Sequence, residues 1–464
     1  MKALANERLG TDPVGRLLFR LAAPSIVAMV MQAVYNAVDS IYVAKISSAS
    51  FAAVTLAFPI QMITGALSTG IGVGINSCIS RSFGSGNPKK ASTAAANGLE
   101  LGLISLLIMV LFGLFGTRAF YGIYTKDAEV ISAGVTYART ICLLSFGTIF
   151  TQISFSILQG SGSMLFPMIS QIAGCITVLC LDPLFILVLK LGVAGAALAS
   201  SSAQIVGMLI GLYGVFVTNR KNLPISKSDF RPDGAVVKDI LSVGIPSALT
   251  QATTSVVSGI LNKIIAVYGT SAITIYGGYT KFSSFGTLPV FGVTRGMTPI
   301  LGYSYGAKDR KRFLETRRLA TLVATAITAI SALVFILFPN LILNLINASE
   351  EIRQTGRQAY RILGFSLFIT GASVSINQVF PPAKRSYLTM ISTLLRQVGF
   401  LLPFCLLGSR LMGLVGVWTG LVATDYVAMA VTVGMYIWFK RKVIDSWDKT
   451  PQDNNENAIQ EADK

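Results

Sequence analysis

Histidine is absent from this 464-residue chain. That removes the usual imidazole ligands of zinc and haem, and the imidazole general base. Charge is scarce as well: Asp, Glu, Lys and Arg make up 13% of the residues against 52% hydrophobic, where an ordinary soluble domain carries about 25% charge. Cysteine is limited to five residues, Cys78, Cys142, Cys175, Cys180 and Cys405, all inside apolar stretches. They read as small buried apolar side chains and not as a disulfide or metal framework. No Gly-x-x-x-x-Gly-Lys-Ser/Thr phosphate loop occurs, so the sequence holds no ATP engine. Neither a nucleophile–base pair nor a metal cluster marks an enzyme. No cofactor is expected. The net charge of +17 invites nucleic acid as a partner, but the basic residues stand at the ends of apolar segments and not on one domain, which excludes it.

What is present is apolar length. About twelve stretches are long enough to cross a bilayer as helices, so the expected partner is lipid and the expected fold is an all-α polytopic membrane protein. The short polar segment 1–16 precedes the first span. Spans one to six fill 17–217, a polar connector occupies 218–237, spans seven to twelve fill 238–440, and 441–464 reads as a disordered tail. Lys and Arg concentrate in the even-numbered joints, at Arg81, Lys89, Lys90, Arg220, Lys221, Lys308, Arg310, Lys384 and Arg385, and in Lys440-Arg441-Lys442. By the positive-inside bias both termini are cytoplasmic.

The two halves are copies, offset by about 222 residues. Leu21-Ala22-Ala23-Pro24-Ser25 aligns with Val243-Gly244-Ile245-Pro246-Ser247, Gly70 and Gly74 with Gly292 and Gly296, and Met168-Ile169-Ser170 with Met390-Ile391-Ser392. A hydrophobic chain of two tandem copies predicts two homologous six-helix bundles with substrate handled between them. With an even number of spans each, the copies run the same way through the membrane. A single chain encloses its own cavity, so a monomer suffices.

Without histidine, a proton carrier inside the membrane must be a carboxylate. Such residues are few, each costing about 2.5–3.5 kcal/mol at mid-bilayer. Asp39 shares a helix face with Gln32, Tyr35 and Asn36 at spacings of seven, four and three. The stripe is a cation or proton site or a set of interhelical hydrogen bonds. Asp182 precedes Pro183, which lacks an N–H and frees the Leu179 carbonyl; the pair is a coupling site or a locally bonded kink. Asp425 stands opposite Gln204 of the first copy, with packing as plausible as function. Gln152, Gln159, Gln251, Asn262, Tyr276, Tyr279, Asn377 and Gln378 are candidate polar cavity residues. Arg139, Lys263, Lys281, Arg295 and Arg396 pair with acids, snorkel or line a cavity. The glycines Gly65, Gly70, Gly72 and Gly74, with Gly286, Gly292 and Gly296, read as close helix contacts.

Several motifs carry a resemblance along nearly the whole chain. These are Tyr35-Asn36-Ala37-Val38-Asp39, Gly84-Ser85-Gly86-Asn87-Pro88-Lys89-Lys90, Leu158-Gln159-Gly160-Ser161-Gly162, Leu181-Asp182-Pro183-Leu184-Phe185-Ile186 and Gly244-Ile245-Pro246. In this order and duplicated, they resemble the MATE family, the multidrug and toxic compound extrusion transporters, and within it the bacterial MepA-like and DinF-like branch. The resemblance implies two six-helix lobes enclosing a V-shaped cavity in the bacterial cytoplasmic membrane. It also implies alternating access, with small amphiphilic organic cations exchanged for protons or sodium. Gln32, Tyr35 and Asp39 stand at the family's first-helix positions and Asp182 at its fifth-helix acid. Ser200 falls where a Thr contributes, and Gln152 where an Asn does. Pro24 and Pro183 are the implied hinges. Val178 and Phe155 replace oxygen ligands of relatives, which favours protons over a sodium ion at Asp39 and Asp182. The acids that another branch carries on its seventh and tenth helices are missing, with Lys263 and Gln378 in those spans. The alternative implied by the same two-lobe plan is a flippase for lipid-linked oligosaccharides or other amphiphiles, which a basic cavity would favour.

Overall fold

The computed structural model describes residues 5–43, 54–345 and 349–448, and all regular structure among them is helical. The long helices are α1 (Val14–Val43), α2 (Phe58–Gly84), α3 (Pro88–Leu111, continued to Tyr124), α4 (Ala128–Leu143 and Ser145–Gly160, bent by 42°), α5 (Leu165–Asp182, continued by Pro183–Val188) and α6 (Gly192–Tyr213, continued by Gly214–Thr218). The second set is α7 (Gly234–Ala266), α8 (Thr270–Gly306), α9 (Arg310–Leu337), α10 (Glu350–Asn377), α11 (Ser386–Leu394 and Leu395–Leu401, running on to 412) and α12 (414–439). Gly413, at φ 59° and ψ −138°, breaks one continuous apolar run into α11 and α12. By length and apolarity nine helical stretches among the described residues qualify as spans, ten with bent α4. One of these, Ser386–Trp447, contains two of the helices, and α8 falls short because it is rich in Ser, Thr and Tyr. The twelve-helix expectation stands.

The duplication is written into local bonds. Pro24 and Pro246 each interrupt the ladder of a long helix, and the next serine bonds back one turn in the same way in both copies. Ser25 Oγ donates to the Leu21 carbonyl at 2.9 Å, and Ser247 Oγ to the Val243 carbonyl at 2.8 Å. Asn87 caps α3 by accepting from the Lys90 amide at 3.0 Å, and Asp309 caps α9 by accepting from the Arg312 amide at 2.9 Å. The left-handed turn ahead of each cap belongs to Gly86 at φ 70° in one copy and to Lys308 at φ 55° in the other.

The lobes meet along α2 against α7 and α1 against α8. These contacts are repeat-related and depend on missing side chains. A Cβ on Gly70 would stand 2.8 Å from both Ala248 Cβ and the Gly244 carbonyl oxygen, and one on Gly292 would stand 2.7 Å from the Ile26 backbone. Near their ends α2 and α8 cross, with Gly84 against Tyr303 and Gly306 against Arg81. The interface is therefore built on backbone-to-backbone approach, as membrane helices associate without a hydrophobic drive. Long apolar side chains point outward instead. Leu103, Ile104, Leu107 and Ile108 of α3 are each more than half exposed, which suits lipid.

Where α2 ends and α7 begins, one carboxylate gathers three cations. Asp239 of α7 lies 2.8 Å from Arg81 of α2, 3.0 Å from Lys384 and 3.4 Å from Lys90 of α3. Arg81 also reaches Ser77 Oγ and the Pro382 carbonyl, and Ser77 donates to the Pro381 carbonyl at 2.6 Å. Lys384 holds a φ of 59° at the position that Gly162 fills in the first copy, and its ammonium reaches Asp239. The cluster crosses from lobe to lobe. Asp239→Ala leaves the buried Arg81 uncompensated and is expected to cost about 3–5 kcal/mol, read as a lowered unfolding midpoint in detergent. An unchanged midpoint would show that the cluster does not hold the lobes.

The tail begins ordered. Asp445 pairs with Arg310 at 3.0 Å, and the Trp447 ring packs against Tyr305 and Phe313 at centroid distances of 5.4 and 6.0 Å. Residues 449–464 lie outside the described residues, so the expected disorder there is untested.

Candidate functional site

Polar cavities among the described residues include one in each lobe and one between them. The first-lobe cavity, about 290 Å³, is lined by Gln32 and Tyr35 of α1, Gln61 of α2, Tyr137 of α4, and Ser200 and Gln204 of α6. Gln171 of α5 donates to Gln32 Oε1 at 2.6 Å, and Gln61 donates to the Tyr137 hydroxyl at 2.9 Å. Asp182 ends the α-helical part of α5, which packs on both α1 and α6, and it is fully buried. From Pro183 to Val188 the helix widens to a π-turn, and Pro183 has no N–H to bond the Leu179 carbonyl. The side chains of Asn36 and Asp39 lie outside the described residues. The α1 backbone remains helical through Val43, so the spacing that places Asp39 on the Gln32–Tyr35 face is maintained.

Gln152 does not join that cavity. It lies on α4 in one stripe with Ser156 and Gln159, at spacings of four and seven. This stripe faces α2, where Gly72 lets Ser156 approach. All three residues line the inter-lobe cavity, about 240 Å³, together with Gln251 of α7 and Gln378 at the end of α10. Of the expected cavity residues, four thus meet here. Tyr276 and Tyr279 line the second-lobe cavity instead, and Asn262 lines a neighbouring space of about 600 Å³ with Lys263 and Tyr276.

The second-lobe cavity, about 410 Å³, contains an ion pair. Arg396 of α11 donates from Nε and Nη2 to Asp425 Oδ1 at 2.9 and 2.8 Å, and Ser366 of α10 donates to the other oxygen. Tyr276 stacks on Trp418 at 6.1 Å between centroids. Sequence reasoning named both charges without joining them. The available signal was their opposite sign within consecutive spans, since two unpaired charges there would each carry a large desolvation cost. No group of three or more metal-ligating acids or cysteines exists among the described residues.

The match that decides the family covers both lobes. The MatE family model fits residues 24–184 and again 246–407, with starting points 222 residues apart, as the internal duplication requires. The chain belongs to the MatE family. Among relatives of this MatE protein, the multidrug export protein MepA of Staphylococcus saprophyticus is 22% identical over 92% of this chain and 95% of its own length. MepA of Staphylococcus aureus is 21% identical over 94% and 96%. A solved structure described as the outward-facing conformation of a multidrug resistance MATE family transporter superposes with a TM-score of 0.89 at 27% identity, covering 97% of this chain and 99% of that one. A transporter of Pyrococcus furiosus, whose description speaks of a reverse polarity of its binding pocket, superposes at 0.88 and 27% identity, over 97% and 100%. MATE proteins are membrane transporters and not enzymes, and this chain shares their multi-pass helical architecture over its full described length.

Proposed function

We propose that this protein is a proton-coupled antiporter that exports amphiphilic drugs by alternating access of its two lobes. The observation that carries the reading is Asp182, a carboxylate fully buried at a π-turn, on the helix that holds Gln32 at the edge of the first-lobe cavity. A carboxylate in such a place has a proton affinity set by which neighbours and how much water the current conformation supplies. Asp39, one turn beyond Tyr35, is the second member of the coupling site. Gln32, Tyr35 and Ser200 are its polar surround, and Pro24 and Pro183 the points of bending. Protons are favoured over sodium because Val178 and Phe155, at 0% and 5% exposure, place hydrocarbon where a sodium site needs oxygen. Export of multiple drugs follows the MepA relatives. A monomer in the cytoplasmic membrane, both termini inside, completes the reading.

The deciding experiment is ethidium transport in proteoliposomes under separately imposed proton and sodium gradients. The expected result is accumulation driven by the proton gradient alone. Sodium-driven accumulation would overturn the ion assignment, and transport under neither gradient would overturn the antiporter reading for this probe.

A further inference from the structure

The inter-lobe cavity lies on the pseudo-twofold axis of the duplication. Thr69, Gly72, Val73 and Asn76 of α2 line it on one side. Their counterparts at the 222-residue offset, Phe291, Thr294, Arg295 and Thr298 of α8, line it on the other. Ser156 and Gln378, also repeat-related, face it as well. Much of the wall is therefore built from repeat-related positions, and across these pairs the charge differs at one position. Val73 has become Arg295. No Asp or Glu lines this cavity. Among the described residues Arg295 has no hydrogen-bond or ion-pair partner, whereas Arg81 and Arg396 each bind a carboxylate. Its helix is packed against α1 through Gly292 on Ile26 and Gly296 on Ala22, which places the Arg295 backbone at the seam of the lobes, and its side chain lines the cavity.

A planar cation with five donors, surrounded by neutral amides and hydroxyls, matches an oxyanion that accepts two parallel bonds. We infer that the inter-lobe cavity binds the carboxylate or phosphate of an amphiphilic substrate through Arg295. The coupling proton stays with Asp182 of the first lobe, as in the transport reading above. This inference deepens the transport reading above and rests on it for the claim that the occupant is cargo. An occupant without an oxyanion meets an unneutralised positive charge, so the site selects zwitterionic and anionic amphiphiles over purely cationic ones.

The test is equilibrium binding by fluorescence anisotropy, which needs no gradient. Full-length protein in phosphatidylcholine nanodiscs is titrated against tetramethylrhodamine bearing its free carboxyl and against its methyl ester, which lacks that charge. Wild type binds the acid more tightly. Arg295→Gln weakens the acid by about tenfold or more and leaves the ester unchanged or tighter, while Arg295→Lys keeps most of the affinity for the acid. Equal weakening of both dyes, or an acid affinity untouched by Arg295→Gln, would overturn the inference. Repeating the titration with phosphatidylglycerol in the nanodisc separates two sources of the oxyanion. Arg295-dependent competition assigns it to a lipid headgroup, and its absence to a soluble amphiphile. Ethidium carries no oxyanion, so failure of gradient-driven ethidium transport leaves the binding result standing, and the reverse also holds.

Discussion

Asp182→Asn is expected to abolish proton-driven ethidium export while leaving a folded protein in the membrane. Asparagine nearly reproduces the shape of aspartate but neither gains nor loses a proton, so the cycle loses its coupling step and not its architecture. Asp182 is completely shielded from solvent, and an ionised carboxylate there is stabilised only by its immediate surroundings. The neutral amide removes that burial cost, so the unfolding midpoint should hold or rise. A loss of only about 1.4 kcal/mol in the coupled step is already a tenfold loss of rate, and export should fall below that. Ethidium counterflow without a gradient should survive, because it needs the lobes to rock but no proton to move. Asp39→Asn should behave in the same way. Export at the wild-type rate in Asp182→Asn would remove the residue from the coupling site. Loss of counterflow as well would mean that the carboxylate is structural.

Gly74→Ala is expected to destabilise the protein, and Gly65→Ala, nine residues earlier on the same helix, is expected not to. A methyl on Gly74 overlaps the Ile240 carbonyl oxygen and stands 2.9 Å from Ile240 Cγ2. Both atoms belong to α7, which cannot retreat without opening the seam between lobes. Overpacking of this kind costs about 1–3 kcal/mol. A methyl on Gly65 meets no atom within 4 Å, and alanine in place of a helical glycine gains about 0.5–1 kcal/mol. Unfolding midpoints in detergent should therefore move in opposite directions, with transport lowered only in Gly74→Ala. A shift of the same sign for both would mean that the α2–α7 approach is not limiting.

Gly70, Gly74, Gly292 and Gly296 were identifiable in the sequence as helix-contact glycines, because their recurrence at one offset and the cost of glycine inside helices require a compensating contact. Gln32 and Tyr35 were likewise legible as one face, since helical spacing places them there whatever surrounds them. The division of the remaining polar residues was not. Gln152 has the character of a ligand and falls where one is expected, yet its helix presents it to the seam between lobes. Tyr276 and Tyr279 read as part of one cavity and belong to another. Arg396 and Asp425 were visible as charges, but only the approach of α11 and α12 makes them a pair.

By itself the sequence determined the membrane class, the twelve spans, the duplication and the family. Each of these depends on apolar length, composition or period, which are properties of the chain read along itself. Only the tertiary structure decided which charges are neutralised. Asp239 collects cations from both lobes and Asp425 takes Arg396, while Arg295 at the pseudo-twofold axis is left to the cavity. Pairing depends on distances across helices far apart in the chain, and those exist only once the two copies have packed against each other.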